Sequence, residues 1–193
     1  MLDNLKRYDI ILASNSPRRR ELLQALDIDF TVKVLDNIKE DYPDNLSAVD
    51  TAKYIAAEKA AAYKDLITDK QLVITADTIV VLGDVILGKP KDREDAIKML
   101  EMLSGKTHQV VTGVSLMTKE KTNNFAVVTD VTFDNISKED IEYYVDNYKP
   151  YDKAGAYGIQ EWIGHIAVSR LNGSYFNVMG FPVQRIYKEL QNF

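Results

Sequence analysis

Residues 10–23 combine a short apolar run, a small polar turn and three consecutive arginines, and this combination could bind an anion. Ser16 can cap a helix, and Pro17 suits the first helical position, where no N–H is needed. Arg18 and Arg19 then lie in the first turn, where the free N–H groups already carry partial positive charge. A compensating negative group is therefore expected there, and a phosphate would supply it. The alternative is a solvated basic turn at the start of an ordinary helix.

Two acidic residues could take part in metal or acid–base chemistry. Asp77 follows an apolar run that is typical of a buried strand, and ligands of open α/β sheets gather beyond the carboxyl ends of strands. Glu40 lies in an acidic loop over residues 36–45 and could join Asp77 around Mg²⁺, which proteins hold through one or two carboxylates and substrate phosphates. The alternatives are that Asp77 caps a turn and that Glu40 is solvated.

Two lysines are candidates for phosphate binding. Lys89 lies between Gly88 and Pro90, so the tripeptide fixes it on a constrained turn beside a predicted hairpin. Lys59 lies in an alanine-rich helix, where a lysine is usually an ordinary surface residue. The residues around Lys59 therefore leave its role open, whereas the turn at Lys89 favours a phosphate.

Residue type and spacing exclude several other chemistries. The chain has no cysteine, which excludes disulfides, Cys-zinc sites and thiol catalysis. His108 and His165 lack metal-ligand spacing, so we expect both to be structural or surface residues. The sequence contains neither a GxSxG elbow nor a GxxxxGK(S/T) loop, which argues against a serine hydrolase and a P-loop NTPase.

The bulk composition is that of a globular protein with a small ligand. With 193 residues, 46% of them hydrophobic, the chain can bury a substantial core. A formal charge of −5 and a pI near 5.1 argue against broad binding of nucleic acid or anionic membranes. The N-terminus lacks the pattern of a signal peptide, and no apolar run approaches the ~20 residues of a membrane span. We therefore expect a cytoplasmic protein.

The elements that must position these residues alternate between strands and helices. Apolar and β-branched runs predict strands over residues 8–13, 30–35, 72–76, 79–82, 85–87, 109–117, 124–133 and 166–171. Caps and helical periodicity predict helices that start at 17, cover 51–66 and 92–103, run from the cap at 137 through 145, and follow 182 to near 193. No linker or repeat interrupts the chain. This pattern predicts one α/β unit with a hairpin-bearing lobe and a central cleft.

Five ordered sequence blocks extend over nearly the whole chain. They are Leu-Ala-Ser-Asn-Ser-Pro-Arg-Arg at 12–19, Ala-Asp-Thr at 76–78, Gly-Lys-Pro at 88–90, Leu-Ser-Gly-Lys-Thr-His at 103–108 and Asp-Lys-Ala-Gly-Ala-Tyr-Gly-Ile-Gln at 152–160. Together they resemble the Maf family of nucleoside triphosphate pyrophosphatases. The resemblance implies a single Maf-like domain over 1–193, with a Maf/Ham1-like mixed sheet, flanking helices and two lobes around a central cleft. It also implies cleavage of a nucleotide to its monophosphate and pyrophosphate.

Two of the blocks resemble the dTTP/UTP branch of that family rather than the branch that acts on 7-methyl-GTP. The resemblance implies that Arg19, Thr78 and Gln160 help to select the pyrimidine nucleotide. In this sequence Glu161 stands where a glycine commonly follows the Ile-Gln pair, which puts a charge next to the residue expected to recognise the base. The residues implied to hold phosphates are Ser14, Arg18, Lys59 and Lys89.

The same resemblance implies that Asp77 is the catalytic carboxylate and that Glu40, with Asp77, binds a divalent cation, Mg²⁺ or Mn²⁺. Metal-assisted attack of water on the α-phosphorus is consistent with these residue types. The expected partner is a small-molecule nucleotide, with no nucleic acid and no membrane, and a homodimer is left open. The alternatives are a 7-methyl-GTP pyrophosphatase and a non-catalytic nucleotide sensor linked to septum formation.

Overall fold

The computed structural model describes residues 2–36, 38 and 41–193. Within these residues the chain forms a mixed α/β structure with a seven-stranded sheet and flanking helices, which confirms the predicted fold class. Glu40, the predicted metal ligand, lies outside the described residues. In the part of the chain that is described, no helix combines the length and the apolar character needed to cross a membrane.

The strands and helices have the following bounds. The strands are β1 (Asp9–Leu12), β2 (Thr31–Val32), β3 (Gln71–Leu82), β4 (Val85–Leu87), β5 (Thr107–Met117), β6 (Thr122–Phe133) and β7 (Val168–Asn172). The helices are α1 (Pro17–Gln24), α2 (Ala48–Ala61), α3 (Arg93–Leu103), α4 (Lys138–Tyr148), α5 (Trp162–Ala167), α6 (Tyr175–Val178) and α7 (Val183–Leu190), with short 3₁₀ segments over Asp3–Arg7 and Ala154–Ala156.

The sheet is mixed, with strand order β2-β1-β3-β5-β6-β7 and with β4 beside β3. Strand β1 is parallel to β2 and to β3, whereas β4 pairs antiparallel with β3 and β7 pairs antiparallel with β6. The parallel partners β1 and β3 are buried over residues 10–12 and 72–74. Parallel strands are covered on both faces, which explains why both runs are continuously apolar.

The chain divides into two compact units. Unit 1 comprises the described part of Met1–Asp77, with Thr112–Val127 and Gly180–Phe193, and its core includes Ile11, Tyr63, Ile67, Val73 and Met117. Unit 2 comprises Thr78–Val111 and Val128–Met179, and its core includes Leu100, Leu103, Phe133, Ile141 and Tyr144. The single domain over 1–193 and the central cleft stay predictions.

Helix α2 lies close against the sheet of unit 1 along a row of small residues on its inner face. Ala52, Ala56 and Ala60 recur every four residues and are fully or almost fully buried. On β5, a Cβ atom added to Gly113 would lie 2.0 Å from the carbonyl oxygen of Ala52, so only glycine permits this approach. The hydroxyl of Thr75 on β3 donates a hydrogen bond of 2.6 Å to the carbonyl oxygen of Ala56. Helix and strand are therefore fixed in register.

Most predicted elements are present, and several have different lengths. Strand β2 has two residues instead of six, and α2 ends at Ala61 instead of 66. The polar pair at 77–78 does not interrupt the strand, because β3 runs continuously from Gln71 to Leu82. β3 changes partner along its length, from parallel pairing with β1 to antiparallel pairing with β4, and this change is not visible in the sequence.

The prediction of a strand over 166–171 is wrong for its first two residues. Residues 162–167 form α5, and strand β7 starts only at Val168. The alternation of Ile166 with Val168 is typical of a strand, but Ile166 is 45% exposed on the helix. Gly164 allows α5 to begin against the preceding turn, because a Cβ there would lie 1.9 Å from the carbonyl oxygen of Ile159. That contact is between backbone atoms of nearby residues and leaves no periodic signal in the sequence.

Candidate functional site

The turn between β1 and α1 has the cap that the sequence predicts. The backbone of Ser16 is extended, its Oγ accepts a hydrogen bond of 3.4 Å from the N–H of Arg19, and Pro17 is the first helical residue. The hydroxyl of Ser14 is buried and accepts from the N–H of Ser16 at 3.2 Å. Arg18 and Arg19 therefore lie in the first turn of α1, as predicted, and both are half-buried.

Arg19 places two of its guanidinium nitrogens on backbone carbonyls of unit 1. Its Nε donates to the carbonyl oxygen of Gly180 at 2.9 Å, and Nη1 donates to that of Ala76 at 2.7 Å. The sequence predicts a negative group that compensates the arginines, and the partners of these two nitrogens include the two carbonyl oxygens and, at 3.5 Å from Nη1, the hydroxyl of Ser14. The guanidinium thereby ties the start of α1 to the residue that directly precedes Asp77.

Asp77 and Lys59 form an ion pair that follows from the periodicities of β3 and α2. Asp77 lies two residues after Thr75 and therefore on the same face of the strand, the face that contacts Ala56. Lys59 lies three residues after Ala56 and therefore nearly one helical turn further along the same side of α2. Its Nζ atom lies 2.8 Å from Oδ1 of Asp77, and the two side chains are 16% and 14% exposed. Lys59 is thus not the ordinary surface lysine that its helix alone suggests.

Asp77 lies beyond the carboxyl end of β1. The last pair of the parallel ladder is Leu12 with Ile74, and the N–H of Ala13 donates to the carbonyl oxygen of Ile74 at 2.9 Å. Three residues later, Asp77 is half-buried. The sequence predicts that Asp77 lies at the end of its own strand, which is wrong because β3 continues beyond it. Asp77 nevertheless lies at the carboxyl end of a parallel strand, because the neighbouring strand β1 ends there.

Two of the other predicted residues lie in unit 2, on segments joined by a backbone hydrogen bond. Lys89 is exposed in the turn that follows β4, and Gln160 is half-buried in the turn that precedes α5. The N–H of Gly155 donates to the carbonyl oxygen of Gly88 at 3.0 Å, which ties the segment before Gln160 to the lysine turn. Gly155 has φ of +69°, and an added Cβ would lie 2.9 Å from Cγ2 of Val80. A glycine at this position therefore allows the backbone to approach β3 closely.

The turn over residues 158–161 presents the side-chain amide of Gln160. The N–H of Glu161 closes this turn by donating to the carbonyl oxygen of Gly158 at 3.0 Å. Oε1 of Gln160 is buried and has no hydrogen-bond partner among the described residues. A buried acceptor without a partner is costly, so this oxygen is a candidate to bind a donor of a ligand.

Glu161 points into unit 2 and is held by two groups. Its Oε2 accepts a short hydrogen bond from the hydroxyl of Tyr144, and its Oε1 lies 3.1 Å from Nζ of Lys153. The same Lys153 ammonium lies 2.8 Å from Oδ1 of Asp152. Burial is the first cause that raises the pKa of Tyr144, and the adjacent Glu161 raises it further, so the phenol stays protonated and donates. The carboxylate at 161 is therefore part of the framework around the turn.

The two histidines have the structural and surface positions that the sequence predicts. His108 is buried in unit 2, where Nε2 lies 2.7 Å from the hydroxyl of Tyr157 and the ring packs edge-on against Phe133 and Tyr157. Burial lowers the pKa of His108 from 6.5 to about 4, and burial likewise raises the pKa of Tyr157. His165 is exposed on α5.

The donor chemistry of Asp77 fits a hard divalent cation, although no metal centre is made by protein groups alone in the described ranges. No group of three or more His, Cys, Asp or Glu side chains that could hold a metal occurs among residues 2–36, 38 and 41–193. Mg²⁺ bound with a nucleotide needs only one or two carboxylates, since phosphates and water complete its shell. The part that Glu40 plays stays a prediction.

The described predicted residues are divided between the two units, and those of unit 1 are linked to one another. Ser14, Arg19, Lys59 and Asp77 are linked directly or through Ala76 in unit 1, with Arg18 on the same turn of α1. In unit 2, Thr78 on β3 directly follows Asp77 in the chain. Sequence reasoning missed Tyr144 and Lys153. Tyr144 lies on the apolar face of α4 like an ordinary core residue, and Lys153 lies in the block at 152–160 with no pattern that assigns it a role.

Comparison with known proteins gives one family and close relatives. A family model described as "Maf-like protein" matches residues 9–193. A protein of Parabacteroides distasonis named dTTP/UTP pyrophosphatase is 56% identical over 193 residues, which cover 100% of both chains. A protein of Phocaeicola vulgatus with the same name is 59% identical over 191 residues, which cover 99% of both chains. The solved structure of a HAM1 protein from Coxiella burnetii aligns with 96% of this chain and 100% of its own, with a TM-score of 0.49 and 15% identity.

Proposed function

Because the chain belongs to the family of Maf-like proteins, we propose that it is a nucleoside triphosphate pyrophosphatase that hydrolyses dTTP and UTP to the monophosphate and pyrophosphate. The names of its relatives support both the reaction and the substrates. The observation that carries the proposal in the structure is the pair of Lys59 and Asp77, 2.8 Å apart beyond the end of β1. A carboxylate can accept a proton from the attacking water, and an ammonium can bind a phosphate oxygen, so this pair supplies two groups that the reaction requires.

In this proposal Asp77 acts as the general base. Its carboxylate accepts a proton from water while the water oxygen attacks the α-phosphorus, and the bond to the α,β-bridging oxygen breaks so that pyrophosphate leaves. Lys59 orients the carboxylate through Oδ1. An ammonium has three N–H donors, so Lys59 can contact a phosphate oxygen as well as Asp77. No covalent intermediate is required.

Cations of the protein balance the charge of the triphosphate. Arg18 in the first turn of α1 and Lys89 in the turn after β4 are proposed to bind phosphate oxygens, together with the hydroxyl of Ser14. Arg19 is proposed to contribute to selection through the backbone, because its guanidinium fixes the carbonyl of Ala76 next to Asp77 and Thr78. Preorganised positive groups stabilise charge that develops on the transferred and leaving oxygens.

A divalent cation, Mg²⁺ or Mn²⁺, is proposed as the cofactor, with Asp77 and Glu40 as its protein ligands. Hard carboxylate oxygens fit such a cation, which neutralises charge on the phosphate oxygens when it is bound. The cytoplasmic location and a homodimer stay predictions.

Selection of the base is proposed to rest on Gln160, with Thr78 beside the catalytic residue. The buried Oε1 of Gln160 lacks a partner among the residues described, and its amide also offers an N–H donor. The edge of thymine or uracil presents an N3–H donor next to the O4 acceptor, which matches a side-chain amide. A base that leaves these groups unmatched is penalised, because a buried polar group then stays without a partner.

The proposal is tested by measuring pyrophosphate release from a panel of nucleoside triphosphates with Mg²⁺, with Mn²⁺ and with EDTA. We expect metal-dependent release, faster from dTTP and UTP than from dGTP, GTP and 7-methyl-GTP. Faster release of pyrophosphate from 7-methyl-GTP would contradict the assignment to the dTTP/UTP branch. Tight nucleotide binding without metal-dependent release would favour the non-catalytic sensor instead.

A further inference from the structure

The turn that carries Gln160 is held at both ends by one hydroxyl group. Tyr144 on α4 accepts a hydrogen bond of 3.1 Å from the N–H of Gly158 and donates to Oε2 of Glu161. Gly158 and Glu161 are the first and last residues of the turn, and they also bind each other through the backbone. A phenol has one O–H donor, and both its donor and its acceptor capacity are used here.

Lys153 completes this arrangement and accounts for the burial of the carboxylate. Its side chain is 9% exposed and that of Glu161 is 21% exposed, so neither charge is fully hydrated. Charges removed from water need opposite charges or hydrogen bonds, and each residue supplies this to the other. Glu161 therefore has a fixed position, with one oxygen on Tyr144 and the other on Lys153.

The amide of Gln160 and the carboxylate of Glu161 both lie over Gly158. A Cβ atom added to Gly158 would lie 2.9 Å from Nε2 of Gln160 and 3.0 Å from the carboxyl carbon of Glu161. The two side chains thus border the same small space. Gln160 lies between Gly158 and Glu161 in the chain, so a shift of either end of the turn would move the residue that carries the amide.

We propose that Tyr144 is a positioning residue for base selection, and that its hydroxyl, with Glu161 and Lys153, holds the turn on which Gln160 reads the edge of the pyrimidine. This inference rests on the proposed function, in which Gln160 contacts the base. Hydrogen-bond selectivity requires groups held to within about 0.5 Å, and supporting residues provide that accuracy. Tyr144 itself does not touch the base. The carboxylate of Glu161 therefore contributes to base selection by holding the turn that carries Gln160.

The test compares Tyr144→Phe with Tyr148→Phe. Tyr148 lies on the same helix, stacks on Tyr144 and is exposed, so its variant removes a hydroxyl without touching the turn. For Tyr144→Phe we expect the ratio of kcat/KM for dTTP to that for dGTP to fall about 5- to 10-fold, the effect of one hydrogen bond. The value of kcat/KM for dTTP should fall, and that for dGTP should stay nearly unchanged. Tyr148→Phe should keep the wild-type ratio.

A second pair of variants addresses the carboxylate and keeps the test valid if Tyr144→Phe does not fold. Glu161→Ala should lower the same ratio, and Glu161→Gln, whose amide oxygen can still accept from Tyr144, should restore part of it. Melting temperatures and circular dichroism report whether each variant is folded. An unchanged ratio in folded Tyr144→Phe or Glu161→Ala, or equal losses for dTTP and dGTP, would overturn the proposal.

Binding of dTMP and dGMP, measured by calorimetry, separates this inference from the proposed reaction. Neither monophosphate contains the bond to be cleaved, so their Kd values report base recognition alone. If wild-type protein binds dTMP more tightly than dGMP but releases no pyrophosphate from dTTP, the proposed activity is wrong. The ratio of the Kd values for dTMP and dGMP then still tests the role of Tyr144. If wild-type protein binds dGMP as tightly as dTMP, base selection and the role of Tyr144 are both wrong.

Discussion

The ammonium of Lys59 lies 2.8 Å from Oδ1 of Asp77, and neither side chain is more than 16% exposed. The contact joins the side of α2 that packs on the sheet to the middle of β3, and both elements are held in register by Thr75 and Ala56. A lysine in this position combines two tasks. In the proposed mechanism it orients the carboxylate, and it places a positive charge where the triphosphate binds.

Replacement of Asp77 by Asn should remove most of the turnover and leave the fold intact. The amide has the shape of the carboxylate but cannot accept the proton of the attacking water. A general base typically contributes about 10²- to 10⁴-fold, so kcat for dTTP should fall by that order. Initial rates of pyrophosphate release and circular dichroism measure the two properties. Near-normal turnover in a folded variant would show that Asp77 has another role.

Replacement of Arg19 by Lys should reduce turnover of dTTP more than that of dGTP, because the carbonyl of Ala76, next to Asp77 and Thr78, is no longer held in place. The ammonium keeps the charge but cannot reach both carbonyl oxygens, at Gly180 and Ala76, in the geometry of the guanidinium. Loss of a charge-assisted hydrogen bond costs about 1.5–3 kcal/mol, so the melting temperature should fall as well. If turnover falls and the ratio of dTTP to dGTP hydrolysis is unchanged, Arg19 does not contribute to selection of the base.

Replacement of Gln160 by Ala should reduce hydrolysis of dTTP and UTP more than that of GTP. The variant removes the buried Oε1 acceptor and the amide donor that match the pyrimidine edge. A lost hydrogen bond is worth about 0.5–1.5 kcal/mol, so the advantage of dTTP over GTP should shrink severalfold for each bond. Steady-state kinetics with the three nucleotides give the ratios. An unchanged preference would place base selection elsewhere.

Stability should decrease below pH 6.5 because of His108. Above this pH the ring is neutral in both states, whereas between pH 6.5 and about 4 the unfolded chain binds a proton that the folded chain refuses. Stability contributed by the neutral ring is therefore complete above pH 6.5 and lost towards pH 4, by on the order of 3 kcal/mol for a shift of this size. Urea unfolding across this range measures the loss.

The matched variants for that experiment are His108→Gln and His165→Gln. Glutamine at 108 can still bond to Tyr157 but does not titrate, so its stability should fall less steeply with acid than that of the wild type. His165 is exposed, and its replacement should leave the slope unchanged. Parallel curves for wild type and His108→Gln would contradict the assignment.

The sequence predicts those features that arise from local patterns. The cap at Ser16, the helix that follows it and the runs that form β1 and β4 are all readable from residue type and periodicity. The family and the fold class follow from ordered motifs and from alternating elements, and both are confirmed.

Features that depend on contacts between distant segments were not predictable in this way. The pairing of Lys59 with Asp77 requires the register of α2 on β3, which is fixed by a side-chain hydrogen bond and by Gly113. The hydrogen bond from Tyr144 to Glu161 joins a helix to a turn 17 residues later in the chain. In both cases the side chains alone are compatible with a surface or core position, and only the packing assigns them.

The most direct measurement of the central claim is hydrolysis of dTTP in ¹⁸O-labelled water with Mg²⁺, followed by mass spectrometry of both products. Attack of water on the α-phosphorus predicts dTMP that carries the label and pyrophosphate that does not, and Asp77→Asn should slow the formation of both products by about 10²- to 10⁴-fold. Label in the pyrophosphate, or release of orthophosphate and dTDP, would contradict the account.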